Sequence, residues 1–210
     1  ATVICTDKTG PLTENRMAVT RMYTDGREIR VSGGSVTTEA GGPVTPDLLR
    51  QWAPLFAIAV GCNNASHHHD RDGAAASTFV GDPTEIALLE CAAAVLPNGP
   101  DVSPRVGEFP FDADRKRMTT IHATTSASRV AYVKGAPESV LPICRCVLRN
   151  GHVMGLGEAE REAIVDRLNT FAGSALRVLA LAYRELPEAA QLPLMEETEG
   201  DLTFVGLIAM

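Results

Sequence analysis

An aspartate that follows a β-prone run and precedes a glycine turn has the surroundings for nucleophilic chemistry at phosphorus. Thr2-Val3-Ile4-Cys5-Thr6 is such a run, and Asp7-Lys8-Thr9-Gly10 closes it. Phosphoryl transfer to a carboxylate needs an exposed Asp at a strand end, a nearby cation, and backbone that can wrap the phosphate, here from Thr9 and Gly10. An Asx-type turn ending the strand uses the same residues, so both readings stay open at this point.

Further clusters pair charge with small or aromatic neighbours. In Val130-Ala131-Tyr132-Val133-Lys134-Gly135-Ala136-Pro137-Glu138, a short apolar strand ends on a lysine. Gly135 permits close approach of backbone or ligand, and Pro137 suits the first turn of a helix over 138–141. Lys134 there fits an anionic or purine ligand, or is an ordinary solvent-facing strand end. In Phe79-Val80-Gly81-Asp82-Pro83-Thr84-Glu85, Asp82 reads as an N-cap, and Glu85 as half a capping box or a ligand acceptor. In Phe111-Asp112-Ala113-Asp114-Arg115-Lys116-Arg117-Met118, an aromatic beside cations can stack a purine while Lys116 faces phosphates. The same residues also fit a core Phe and Met with a solvated hairpin edge. Arg177 lies in the apolar run 176–183, where a buried cation must meet an anion or a carboxylate.

These groups need a scaffold. Alternation through Met17, Val19, Arg21 and Tyr23, then Ile29 and Val31, around Asp25-Gly26 predicts a hairpin. A buried helix is expected over 46–62, with Thr45 as N-cap and Pro54 as a kink. Residues 63–73 read as a polar loop; its adjacent His67, His68 and His69 do not converge readily on one ion and are assigned no metal. A strand is expected over 119–122. A helix is expected over 158–171, with Ile164, Val165, Leu168 and Phe171 on one face and Gly173 ending it. Residues 201–210 form a last apolar strand.

Composition narrows the class. A chain of 210 residues with 45% hydrophobic content can bury a core. The net charge of −7 argues against non-specific nucleic-acid binding and a basic membrane patch. No apolar run approaches the ~20 residues needed to cross a bilayer, so the chain is expected to be soluble. The five cysteines (Cys5, Cys62, Cys91, Cys144, Cys146) show neither disulfide nor zinc spacing and fit a reducing cytoplasm.

Asp7-Lys8-Thr9-Gly10-Pro11-Leu12-Thr13 resembles the phosphorylation signature of P-type ATPases, Asp-Lys-Thr-Gly-Thr-Leu-Thr. Pro11 stands where that family has threonine; it removes an N–H and fixes φ, which alters a loop around phosphate. The Glu85 segment is similar to the family's Gly-(Asp/Glu)-x-Thr-Glu-x-Ala-Leu element, and residues 111–118 to its Phe-x-x-x-(Arg/Asn)-Lys-x-Met element. Residues 134–138 match Lys-Gly-Ala-Pro-Glu, and residues 176–182 match Leu-Arg-x-Leu-Ala-Leu-Ala. These motifs run in the family's order and point to cation pumps of the calcium, sodium and magnesium type.

The resemblance implies an α/β fold, a twisted antiparallel sheet flanked by helices, with a short N-terminal piece of the HAD-like phosphorylation domain. It implies residues 1–16 as the edge of that domain, 17–200 as the nucleotide-binding domain, and 201–210 as the strand returning toward the phosphorylation domain. Asp7 would accept the γ-phosphoryl group of ATP, with Asp7 and Thr9 at Mg2+. Glu85, Phe111, Lys116, Met118, Lys134, Gly135 and Arg177, together with Thr9, would contact nucleotide.

The implied partners are ATP and the phosphorylation, actuator and membrane domains of a parent pump, with no nucleic acid. The domain is expected to be cytoplasmic and monomeric, and to bind nucleotide without completing the transport cycle, since the magnesium-binding loop and membrane helices are not in this sequence. The alternatives are a soluble phosphatase or mutase of the same hydrolase superfamily, which commonly has a second Asp where Thr9 stands, and a nucleotide-independent interaction domain.

Overall fold

The computed structural model describes residues 16–39, 41–42, 44–68, 78–96, 98–124, 128–187 and 194–210. Asp7, Thr9 and the rest of the expected phosphorylation segment lie outside the described residues. So do His69 and residues 70–73 of the expected polar loop.

The expected hairpin is β1 (Arg21–Thr24) and β2 (Arg27–Ser32), joined through Asp25 at φ 55° and Gly26 at φ 72°. Two successive positive φ values match the twist of the flanking strands, which is why Asp-Gly is favoured there. After β3 (Ser35–Thr38), Thr45 caps α1 (Pro46–Gly61), its side chain accepting from the Leu48 amide. The helix continues through Pro54.

The 63–73 stretch is not wholly a loop. Its residues in β4 (Ser66–His68) pair with β5 (Thr78–Val80) in a separate small sheet. Next come α2 (Pro83–Val95), then β6 (Arg105–Asp112), β7 (Arg117–Ala123) and β8 (Arg129–Gly135), a meander of adjacent antiparallel strands. A short α3 (Pro137–Val140) and a 3-10 turn, Leu141–Ile143, lead to β9 (Cys144–Arg149) and β10 (His152–Gly155). The chain continues through α4 (Glu158–Gly173), β11 (Val178–Leu186), α5 (Met195–Thr198) and β12 (Leu202–Ala209).

Ten strands make one open sheet: eight run in the order β3-β2-β1-β12-β11-β8-β7-β6, while β9 pairs with β12 and β10 with β9 off that path. Every pair in that path is antiparallel. On its other side from β11, β12 divides its edge: residues 206–209 pair with β1, and residues 202–204 pair in parallel with β9. The architecture is thus α/β, an antiparallel sheet flanked by helices. Among the described residues no helix is long and apolar enough to cross a membrane.

Both faces of the sheet are covered, so β12 is buried along its whole length and reads as a continuous apolar run. Its residues feed two cores, with the alternation shifted by one at Val205, where the register with β11 slips. Val205 and Ile208 pack with Met22, Trp52, Leu55, Phe56 and Leu88 beneath α1 and α2. Phe204, Leu207 and Ala209 pack with Val133, Val140, Ile164 and Phe171 beneath α3 and α4. On α4, Ile164 and Phe171 are fully buried, two turns apart, whereas Val165 is 38% exposed and leaves the expected stripe. A step of one residue turns a helix by about 100°, enough to carry Val165 to the rim.

Gly206 is where β12 meets its neighbours most closely. A Cβ there would lie 2.4 Å from the Tyr23 carbonyl oxygen and 2.9 Å from Leu55 Cδ1. Gly206→Ala is therefore expected to destabilise the chain by about 1–3 kcal/mol, the usual cost of overpacking. Urea denaturation measures this; an unchanged midpoint would show that β1 and α1 shift without cost.

Candidate functional site

The site is built on the first turn of α2. Asp82 Oδ1 accepts from the Thr84 amide at 2.8 Å, and Pro83 occupies the first helical position, which fixes the approach of the chain. Glu85 then projects from the third position. Its Oε1 accepts from Lys134 Nζ at 2.9 Å and its Oε2 from the Asn64 amide at 3.2 Å. Those are its partners among the described residues, so the carboxylate reaches outward instead of completing a capping box.

Lys134 stands at the end of its strand, as the sequence suggested, but it is not the solvent-facing residue of the alternative reading. It lies inside β8, in register with Met118 of β7 and Leu181 of β11, and is 6% exposed. A lysine so placed must be paired, because an isolated buried charge is far too costly.

A cavity of about 500 Å³ opens beside this pair. Glu85, Phe111, Lys116, Met118, Lys134, Gly135 and Arg177 all line it, joined by Asn64, Asp82, Thr84, Ala136, Val178 and Leu179. Five separated stretches of sequence therefore meet in one cleft. Phe111 is 63% exposed near the end of β6, while Met118 is buried in the wall.

Lys116 sits in the β6–β7 turn at φ 50°, and its Nζ lies 3.3 Å from Glu138 Oε1. The turn reaches its place because residue 135 is glycine: a Cβ there would stand 2.4 Å from Arg117 Cβ and 2.5 Å from the Lys116 carbonyl oxygen. That carbonyl accepts from the Ala136 amide at 2.9 Å.

Arg177 does not lie within a buried strand, as its apolar neighbours suggested. It is exposed and immediately precedes β11, bridged through its backbone to Met210, with N–H to O distances of 2.8 and 3.0 Å. The left-handed Ala175, φ 58°, turns the chain out of α4 just before it. No ion pair holds Arg177 among the described residues, and its side chain lines the cavity.

Asn64 is the lining residue that sequence reasoning missed most clearly. Its Nδ2 donates to Glu108 at 2.9 Å, and its Oδ1 accepts from Arg105 at 2.6 Å. Arg105 also donates to the Gly61 and Asn63 carbonyls. The Asn63-Asn64 pair straight after a helix was the available signal.

The cleft thus has an apolar wall of Phe111, Met118, Val178 and Leu179, acceptors at Asp82 and Glu85, and cations at Lys116 and Arg177. Chemically it suits a flat aromatic group with a donor edge and an anionic tail. Thiol chemistry is disfavoured. Burial pushes the Cys62 thiol up to about 11 and those of Cys91 and Cys144 up to about 12, so all three stay protonated at neutral pH. Among the described residues no group of three or more His, Cys, Asp or Glu side chains could hold a metal ion.

One buried carboxylate stands behind the β6–β7 turn. Glu199, 7% exposed, accepts from Arg115 at 2.5 Å, Thr119 Oγ1 at 2.7 Å and Arg117 Nε at 2.8 Å. Burial would raise its carboxyl, but the hydrogen bonds from Arg115, Thr119 and Arg117 outweigh that and hold it below the ordinary range.

Fold and site together define an α/β domain with an open antiparallel sheet and a cleft shaped for an aromatic, anionic ligand. The chain belongs to the P-type ATPase family: residues 51–210 match its cytoplasmic domain N. It is 34% identical over 213 residues to "Calcium-transporting ATPase 1" of Bacillus cereus, covering 100% of this chain and 22% of that protein. It is 36% identical over 220 residues to "Calcium-transporting ATPase" of Bacillus subtilis, covering 99% of this chain and 24% of that protein. It is 31% identical over 220 residues to "Sodium/potassium-transporting ATPase subunit alpha-4" of Homo sapiens, covering 99% and 21%. The chain therefore spans less than a quarter of the length of these curated relatives. The match does not favour the soluble hydrolase or the interaction domain.

The depressed Glu199 carboxyl predicts a pH dependence. Its folded pKa lies below the unfolded value of about 4.3, so the stability it contributes is present above that value and lost as pH falls through the folded pKa. Denaturation midpoints from pH 6 to pH 3 are expected to fall more steeply for the parent chain than for Glu199→Gln. Parallel curves would show that this carboxyl does not titrate with folding.

Proposed function

We propose that the cleft is the ATP site of the cytoplasmic nucleotide-binding domain of a cation-transporting P-type ATPase. The observation that carries this reading is convergence: the residues singled out in four distant motifs line one cavity of about 500 Å³. In this reading the purine stacks on Phe111, whose exposed ring provides a platform at no cost to the core. The exocyclic amino edge of adenine faces the Glu85 and Asp82 acceptors, with Lys134 beside the base. Lys116 and Arg177 take the phosphates, and Met118 and Gly135 shape the wall between. Family membership supports ATP as the nucleotide, since the matched relatives are named as ATPases.

The parent reaction in this proposal is attack of the Asp7 carboxylate on the γ-phosphorus, with ADP leaving, and coupling of the later hydrolysis to ion movement across a membrane. Mg2+ would supply charge neutralisation at the phosphates, held by Asp7 and Thr9, which lie outside the described residues. Residues 1–16 and 201–210 would be the two crossings to the phosphorylation domain, and 17–200 the nucleotide-binding domain proper. Its partners would be the phosphorylation, actuator and membrane domains, with this domain in the cytoplasm, monomeric by itself and without nucleic acid.

Calorimetric titration of Mg-ATP into the chain tests the site. Phe111→Ala removes an exposed ring, so the fold is retained while affinity falls roughly 5- to 150-fold, the worth of stacking one base, about 1–3 kcal/mol. Lys134→Met should also weaken binding and lower the melting temperature, because it leaves the partly buried Glu85 without its partner. Absence of binding to the parent chain, or equal affinity in Phe111→Ala, would reject the assignment.

A further inference from the structure

Three cations stand in a row at the cleft, Arg115, Lys116 and Arg117, and only the middle one lines the cavity. The outer two turn away to a single carboxylate, Glu199, which lies eighty residues further along the chain and whose side chain is 2% exposed. Arg115 also donates to the Pro110 carbonyl at 2.9 Å, and Arg117 to Ser139 Oγ at 2.8 Å. Ser139 in turn donates to the Arg115 carbonyl. The flanks of Lys116 are thus clamped to β6, α3 and the segment between α5 and β12.

The clamp bears on a conformation that needs support. Lys116 holds φ 50°, a region that side chains other than glycine enter at a cost, and its amide donates to the Asp112 carbonyl at 2.7 Å. Two arginines tied to one buried carboxylate are held out of the cleft, which leaves Lys116 as the one cation of the turn that lines it, alongside Lys134 and Arg177.

We propose that Glu199 is the positioning residue for Lys116: it holds Arg115 and Arg117 on the far side of the β6–β7 turn so that, of the three cations in that turn, Lys116 is the one presented to the phosphates of the bound nucleotide. This rests on the reading of the cleft as a nucleotide site. Glu199 touches no ligand itself. Phe111 itself lies in the irregular stretch of β6 between Phe109 and Asp112, but the backbone pairs on either side, Phe109 with Thr119 and Asp112 with Arg117, hold that stretch without the Glu199 side chain, so the base platform outlasts its loss.

The test compares ATP with adenosine. In Glu199→Gln, ATP affinity is expected to fall about fivefold, the scale of coupling between neighbouring residues, while adenosine affinity stays within about twofold. In a Lys116→Ala background the same substitution should produce no further loss of ATP affinity. Arg115→Gln, which leaves Glu199 paired to Arg117 and Thr119, should act in the same direction to a smaller degree and guards against a folding defect.

Hydrogen exchange of the 112–117 turn should quicken in Glu199→Gln while β12 stays protected. Equal losses for ATP and adenosine, a loss that persists without Lys116, or unchanged exchange in the turn would each overturn the proposal. If the parent chain took up no nucleotide, the nucleotide-site reading would fall first. The exchange measurement would still decide whether Glu199 fixes Lys116.

Discussion

The pair between Lys134 and Glu85 is the constraint around which the cleft is arranged. It joins the end of a central strand to the first turn of α2, with nearly fifty residues between the two side chains. Burying both charges carries a desolvation penalty that only close geometry and extra hydrogen bonds offset. The structure supplies them: a 2.9 Å contact, the Asn64 amide on the second carboxylate oxygen, and a helix start locked by Asp82 and Pro83. A polar pair is thereby held at the edge of an apolar wall.

Packing on both sides of the sheet makes that arrangement rigid. The α1 and α2 layer carries Glu85 and the asparagine pair that follows α1, while α3 continues directly from the strand bearing Lys134. Gly135 brings the β6–β7 turn against the end of β8, and with it both Phe111 and Lys116. Aromatic platform, ion pair and turn lysine are therefore held by one stretch of sheet, with their distances set by strand register.

Much of this was legible in the residues. Alternation and Asp-Gly marked the first hairpin; Thr45 and Asp82 marked the starts of α1 and α2; Phe111, Lys116, Lys134 and Arg177 were singled out by pairing charge with small or aromatic neighbours. What escaped depends on distant partners. Lys134 was read correctly at a strand end, but its burial against Glu85 was not, because nothing local announces that partner. Arg177 looked buried because its neighbours are apolar, but the chain turns at Ala175 and leaves the side chain outside. β9 and β10 went unread: Cys144 to Arg149 mixes charge with apolar residues, and its pairing with β12 joins segments some sixty residues apart. Glu199 gave no signal, since its role is fixed by arginines more than eighty residues upstream.

The position of β12 bears on how the sheet assembles. The ribosome makes β1 first among these strands and β12 last, yet the two lie side by side, with Arg21 opposite Ala209. The hairpin of β1 and β2 must wait for nearly the whole chain before its neighbour exists, and closing so long a loop carries an entropic cost ahead of any contact. The β6–β8 meander and the β1–β2 hairpin pair segments close in sequence and carry a smaller closure cost than the insertion of β12 between β11 and β1, so the topology places its most expensive pairing at the strand that both cores share.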